Sequence, residues 1–294
     1  MASIIAHGPA FPAAAFCLLN GRVMLGEQFS EILRYRGLLG MLAWRDIRVR
    51  YKQSLLGVAW AFLMPLINAL VIYAIFTFGP VNLSDPSKLR GMPYMLFVLS
   101  GIVAWGFFAG TITSSTECLT RNSRLVTKIY FPREVFPLSS VAGAFVDFLL
   151  AAVVIVPFYL YYTHKGDVEP TARLLLIPLV LLIQATLATG LALILSMANL
   201  FFRDVKYIST FVLQMWFFAT NVFYPINFET YPRLRWVASV NPMIPIIDAY
   251  RACLMGDPIP NPIGLIVAST IACLVFYFGW KVFHRAEFKF AEYV

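Results

Sequence analysis

The stretch that most constrains this chain is Trp44 to Gly79, WRDIRVRYKQSLLGVAWAFLMPLINALVIYAIFTFG, where a basic segment runs directly into an uncharged one. From Leu55 to Phe78 there is no formal charge, and a helix of that length crosses about 30 Å of hydrocarbon at about 1.5 Å per residue. The sequence therefore predicts that the chain enters a bilayer at Leu55. Just before it, at 100° per residue, Trp44, Ile47, Tyr51 and Leu55 fall on one stripe with Arg45, Arg48 and Lys52 beside them. That is the pattern of an amphipathic helix lying in the membrane interface. Positive-inside flanking accounts for these bases as well as a dedicated docking role does, and both readings stay open.

Composition extends the conclusion to the whole chain. Hydrophobic residues make up 60%, charged residues 13%, and the mean hydropathy is +0.75, values that exclude a soluble globular domain and predict an all-α polytopic membrane protein. The net charge of +8 could address nucleic acid, but the bases sit in short loops beside apolar runs, so membrane topology is the better account. Cys17, Cys118, Cys253 and Cys273 are scattered and the three histidines isolated, so neither a structural zinc site nor a disulfide framework is expected.

Six spans are predicted, at about 55–78, 93–115, 135–162, 174–200, 207–224 and 263–283, within one domain over 28–294. Residues 1–27 read as a flexible cytosolic extension, because no base precedes the apolar patch at Phe11–Leu19 and Pro12 interrupts it; a cleaved signal peptide is the alternative. In the second span Gly106 and Gly110 form a G-x-x-x-G face, expected to pack on a neighbouring helix of the same bundle, with a dimer seam as the alternative. Between the second and third spans a cytosolic amphipathic helix is expected. There Leu119, Leu125, Val126, Ile129 and Tyr130 oppose Arg121, Arg124 and Lys128, until Phe131-Pro132 ends it. Between Pro225 and Pro262 the apolar runs are too short to cross and are broken by Pro242 and Pro245, which predicts a re-entrant helical hairpin. With a cytosolic N-terminus, sixteen of the 23 Lys+Arg lie on the cytosolic side, a bias that supports six spans with both ends inside. No internal repeat relates the first three spans to the last three, which weakens an inverted-repeat carrier.

Chemistry-bearing motifs are sparse. The sequence holds no G-x-x-x-x-G-K-[ST], no G-x-S-x-G and no H-E-x-x-H, so an energy source, if used, is expected on another polypeptide. Asp147 is the carboxylate well inside a span, and it needs a partner such as Gln184 or a hydroxyl. It reads either as a proton relay or as an interhelical contact. Tyr73, Tyr94, Tyr161, Tyr162, Tyr224 and Trp280 sit at span ends, where aromatics anchor at the interface. Trp60, Tyr73, Phe76, Trp216, Phe217 and Tyr224 could instead line a pore, since stacking grips sugar rings without fixed hydrogen bonds.

Four blocks carry a family resemblance: WRDIRVRYKQSLLGVAWAFLMPL at Trp44–Leu66, LVTKIYFPREVFPL at Leu125–Leu138, NLFFRDVKYI at Asn199–Ile208 and NPMIPIIDAYR at Asn241–Arg251. In this order, and over most of the chain from about Leu42, the sequence resembles the permease subunits of ABC exporters for bacterial cell-surface polysaccharides: O-antigen, capsule and teichoic acid. The resemblance implies a non-enzymatic, multi-pass subunit of the bacterial inner membrane. It would form a homodimer with two nucleotide-binding subunits that use ATP and Mg, and would move a lipid-linked glycan to the periplasm, with no cofactor in this chain. By position it assigns ATPase coupling or contact with a lipid diphosphate to Arg45, Arg48, Lys52, Arg121, Arg124 and Lys128. The outer gate would be formed by Asn241, Pro242, Pro245, Asp248 and Arg251. An exporter of a small lipid or drug with the same architecture is the rival; a membrane enzyme on lipid-linked sugars and a proton-driven carrier stand further off.

Overall fold

A computed structural model describes residues 34–52, 56–79, 89, 91–123, 125, 132–225 and 240–286. The described residues contain helices and no strand: α1 Arg36–Lys52, α2 Ala59–Phe78, α3 Tyr94–Thr116, α4 Cys118–Arg121, α5 Val135–Val153, α6 Ile155–Lys165, α7 Ile177–Phe201, α8 Val205–Phe218, α9 Met243–Met255 and α10 Pro262–Ala286, with a 3-10 turn at Ala172–Leu176 ahead of α7. Five helical stretches are long and apolar enough to cross a membrane: Ala59–Phe78, Tyr94–Thr116, Val135–Lys165, Ala172–Phe201 and Pro262–Ala286. These coincide with five of the six predicted spans. The segment predicted to span 207–224 forms a helix of 14 residues that stops at Phe218, about 21 Å and short of a hydrocarbon core. Residues 1–27, residues 80–88 and the first arm of the predicted hairpin lie outside the described residues.

Two apolar clusters define the ends of the bundle. At the base Leu42, Leu119, Phe136, Leu200, Trp280 and Phe283 pack together; at the far end Leu89, Met92, Tyr94, Val168 and Met255 do so. Between them α3 is the central helix. Most of its side chains are buried, from Met95 and Leu96 to Phe107, Phe108 and Thr111, because α2, α5, α7 and α8 all pack on it. By contrast α2 buries only Ala69, and α8 only Ser209 and Leu213. Their apolar side chains point outward, Ile67, Leu70, Val71 and Ile75 from α2 and Ile208, Phe211, Met215 and Phe218 from α8.

Small residues set the closest packing. A Cβ on Gly190 of α7 would stand 2.6 Å from the Phe276 nitrogen of α10, and one on Gly279 would stand 2.4 Å from the Gly190 carbonyl oxygen. Those two backbones touch only because both positions are glycine. The expected packing role of Gly106 and Gly110 is not found: both are exposed, with nothing within 4 Å of an added Cβ.

Asp147 finds its partners on α1, with Arg50 in an ion pair and the Tyr51 hydroxyl donating at 2.7 Å. Gln184, the partner expected from sequence, instead donates to the Ala104 carbonyl at 2.6 Å and accepts from the Tyr250 hydroxyl at 2.9 Å. The reason is length. The run Val135–Lys165 has 31 residues, about 46 Å, so about 27 Å remain above Asp147, close to one hydrocarbon thickness. The carboxylate therefore sits near one border of an apolar slab, level with the start of α2.

Candidate functional site

The base is held by polar contacts, most of them between helices that sequence alone could not connect. Asp46 of α1 accepts from Arg45 at 2.8 Å and from Arg121 of α4 at 3.1 Å, while Arg45 also donates to the Asn122 side chain at 2.8 Å. Glu134 lies 3.2 Å from His284 of α10, and Glu117 lies 3.5 Å from Lys206 of α8. The predicted basic strip on α1 is thereby divided. Arg45 turns to α4, Arg48 lies 5.8 Å over the exposed Trp44 ring, and Lys52 is exposed. Trp44 and Tyr51 do not share an outward stripe, because Tyr51 turns to Asp147. Burial pushes the Tyr51 phenol up against the lowering pull of Arg50, which keeps it a neutral donor. Burial likewise pushes the Cys118 thiol up and keeps it unreactive. Of the predicted helix over 119–130 the first turn is present, with Leu119 buried and Arg121 exposed; Arg124 and Lys128 lie outside the described residues.

Of the predicted aromatics, all but Trp60 belong to ring contacts along the α2–α3–α8 side. Phe76 stacks on Phe223 at 5.7 Å, Phe223 lies tilted to Phe217 at 5.6 Å, and Phe217 meets Trp105 edge-on at 5.7 Å, as Trp216 meets Phe108 at 5.1 Å. Tyr73 stands 6.0 Å from Tyr94, and Tyr224 5.0 Å from Phe223. Trp60 is 38% exposed near the start of α2, about 20 Å from Tyr73 by helical rise. Trp105 and Phe108, which no spacing rule singled out, are the hub that ties α8 to α3. Two predicted interface anchors turn inward instead: Trp280 is in the base cluster and the Tyr94 hydroxyl donates to the Phe223 carbonyl at 2.9 Å.

Below the crossing of α2 the central helix is open on one face. Gly106, Gly110, Thr113 and Glu117 are exposed, and at 100° per residue they share one face of α3. Phe107 packs on Phe148 of α5 to one side of that face, and Trp105 packs on Trp216 of α8 to the other. The result is a groove with a small, weakly polar floor.

The predicted gate residues come together as a staple. Asn241 accepts from the Trp216 indole at 2.8 Å and donates to the Ala219 carbonyl at 3.1 Å and to the Thr220 hydroxyl at 2.9 Å; its side chain also caps the Met243 N–H at 3.0 Å. Pro242 and Pro245 are buried beside it. Arg251, buried, lies 3.4 Å over the Phe97 ring and donates to the carbonyls of Phe97, Asn221 and Val222 at 3.2, 2.7 and 2.8 Å. Asp248 lies 3.5 Å from Arg251 and accepts from Asn221 at 2.6 Å. Gly101 makes this approach possible, since a Cβ there would lie 2.2 Å from the Val222 carbonyl oxygen. The group fixes α9 and the turn after α8 to the central helix.

Among the described residues no three His, Cys, Asp or Glu side chains converge as metal ligands. What the helices and the groove define is a multi-pass helical membrane protein with an open face beside its central helix. The family profile described as "ABC-2 type transporter" matches residues 37–255, and the chain belongs to that family. It is 29% identical over 263 residues to the O-antigen export system permease protein RfbA of Myxococcus xanthus, covering 89% of this chain and 97% of that protein. A Klebsiella pneumoniae protein of the same name is 29% identical over 255 residues, 87% of this chain and 94% of the relative. The polysialic acid transport protein KpsM of Escherichia coli is 21% identical over 248 residues, 83% and 91% respectively.

Proposed function

We propose that this chain is the transmembrane subunit of an ATP-driven exporter that moves a lipid-linked cell-surface polysaccharide from the cytosol to the periplasm. Full-length similarity to O-antigen and capsule export permeases supports the substrate class. The observation that carries the mechanism is the contrast between a buried α3 and the outward apolar faces of α2 and α8 on either side of its open groove. A second copy facing this side would close two grooves into one conduit.

In this reading the base is cytosolic, both termini included, and α2 begins at the inner border. The sixth crossing is made in two pieces, α8 with its following turn from below and α9 as the second arm of a re-entrant hairpin above. Two nucleotide-binding subunits bind ATP and Mg and hydrolyse ATP; this chain transmits the motion and is not itself an enzyme. Arg45 and Arg121, joined through Asp46, couple α1 to α4 as that motion arrives. Arg48 and Lys52 face the ATPase or lipid phosphates, and the same role is proposed for Arg124 and Lys128 from their place in the sequence. The conduit has the floor Gly106, Gly110 and Thr113, with Trp60, Tyr73, Phe76, Trp216, Phe217 and Tyr224 along its walls. The staple around Asn241, Pro242, Pro245, Asp248 and Arg251 holds the periplasmic gate.

The test is reconstitution into vesicles with and without a nucleotide-binding ATPase partner, following protection of a lipid-linked glycan from an external glycosidase. Transport requires both subunits and ATP. Transport by the chain alone refutes the proposal.

A further inference from the structure

A cleft of about 300 Å³ lies at the base between the feet of α3 and α8, lined by Glu117, Thr120, Ser123, Asn199, Arg203 and Lys206 among others. Its donors are arranged rather than merely present. Asn199 is only 2% exposed, and its Oδ1 accepts from the Lys206 backbone N–H at 3.2 Å. That bond fixes the amide's orientation and leaves its NH2 without a partner among the described residues, in the wall of the cleft. Arg203 is exposed and makes no ion pair among the described residues. The Lys206 ammonium is held by Glu117 at 3.5 Å with both side chains 39–48% exposed, a screened contact that a more strongly charged anion would displace. The N-terminal end of α8 adds the positive end of its dipole.

This donor set continues directly into an apolar surface. The Lys206 ammonium lies 4.9 Å over the ring of Tyr207, and from Tyr207 the outward side chains Ile208, Phe211, Met215 and Phe218 climb α8 for about 16 Å. A cationic pocket at the foot of an apolar rail is complementary to an amphiphile with an anionic head. We propose that the cleft holds the diphosphate head of such a lipid, with Arg203, Lys206 and Asn199 donating to phosphate oxygens and the tail lying along α8. The assignment rests on the proposed function for the lipid's role as carrier. It moves the head-group contact away from Arg121, which Asp46 already engages.

The experiment uses the full chain with its ATPase in phosphatidylcholine nanodiscs and farnesyl diphosphate as the probe. Farnesol, inorganic pyrophosphate and phosphatidylglycerol serve as competitors. The wild type binds the probe and none of the competitors displaces it at equal concentration. The double variant Arg203→Gln/Lys206→Gln binds at least about tenfold more weakly, as expected for two lost charge-assisted contacts. Asn199→Asp keeps the acceptor that Lys206 needs, turns the donor into an anion and also loses binding, while its elution on size exclusion stays unchanged. Binding by the double variant within twofold of wild type overturns the proposal, as does equal competition by farnesol, pyrophosphate or phosphatidylglycerol. Loss of ATPase co-purification with probe binding intact also overturns it, in favour of a docking surface for the partner. The two readings fail separately: probe binding lost in the double variant of a chain that exports no glycan sinks the function and keeps the cleft.

Discussion

Replacing Arg251 by methionine should loosen the upper half of the protein, where its guanidinium ties the turn after α8 to the central helix. Methionine keeps the length of the stem but none of the donors, so the Asn221 and Val222 carbonyls, at 2.7 and 2.8 Å from Nη2, lose the donor that holds them. The Phe97 carbonyl keeps the Ser100 hydroxyl at 3.0 Å and is not orphaned. Two stranded carbonyls cost about 1–3 kcal/mol each, and the lost stacking on Phe97 about 1 kcal/mol more. The relief of a desolvated charge offsets part of this, leaving about 3 kcal/mol. For a chain of this size that is a fall of about 6–12 °C in the midpoint of thermal aggregation, read by size exclusion of detergent-solubilised protein after heating. Arg251→Lys should recover part, because all three carbonyls are reached from one nitrogen, Nη2, which a three-donor ammonium can imitate only from a shorter stem and without the stacking on Phe97. A midpoint within about 2 °C of wild type for the methionine variant would refute the staple.

Four further outcomes are expected. Gly106→Trp fills open space, so membrane abundance and ATPase activity should hold or rise slightly, by about 0.5 kcal/mol of helix propensity at most, while glycan export in the vesicle assay stops; undiminished export would remove the groove from the path. Gly190→Ala drives a Cβ to 2.6 Å from the Phe276 backbone and should cost about 1–3 kcal/mol, seen as a lower aggregation temperature, whereas Gly143→Ala, in open space, should not. Asp147→Asn keeps the Tyr51 bond and ends the ion pair with Arg50, both groups partly exposed, so stability should change by less than about 1 kcal/mol and export should persist when an uncoupler collapses the proton gradient; loss of export would revive a proton relay. Asp46→Asn should be equally mild for stability, yet it removes the ion pair that ties Arg121 of α4 to α1 and should lower substrate-stimulated ATPase activity, with basal hydrolysis as the control.

Five of the helices were legible because twenty or so uncharged residues have one stable arrangement in lipid, and their bounds fall within a few residues of those read from the sequence. The segment after Arg203 was not legible as a short helix. Its aromatic density reads as a span, but Phe218 is followed by a turn that Asn241, 23 residues on, holds in place through Ala219 and Thr220, and no local pattern encodes a partner so far away. The same holds for Asp147. Its depth could be counted only once α5 and α6 were known to exceed a membrane's thickness, and its partners lie almost a hundred residues earlier. A G-x-x-x-G spacing signals close approach without naming what approaches, so Gly106 and Gly110 read as bundle packing although they face open space. The base cleft had one visible trace, the bases in the Arg203–Lys206 turn; the amide of Asn199 that completes it gives no signal as one polar residue in the mostly apolar run of α7.

The distribution of these contacts determines where the molecule can move. At the far end the links between helices are buried: Arg251 donates to three carbonyls, Asn241 bridges two segments, and Gln184 joins α7, α3 and α9. Breaking any of them strands a polar group in an apolar setting, at about 1–3 kcal/mol each. At the base the polar links are ion pairs with at least one partner in water, as in Arg121–Asp46 and Lys206–Glu117, each worth about 1 kcal/mol or less and replaceable by solvent. A force applied at the base therefore shifts α1 and α4 against α8 before it disturbs α9, and the foot of α8 carries both the cleft and the start of the outward apolar face. An energy-coupling partner working on that end would open the cleft first and strain the upper staple last, the order that loading before release requires.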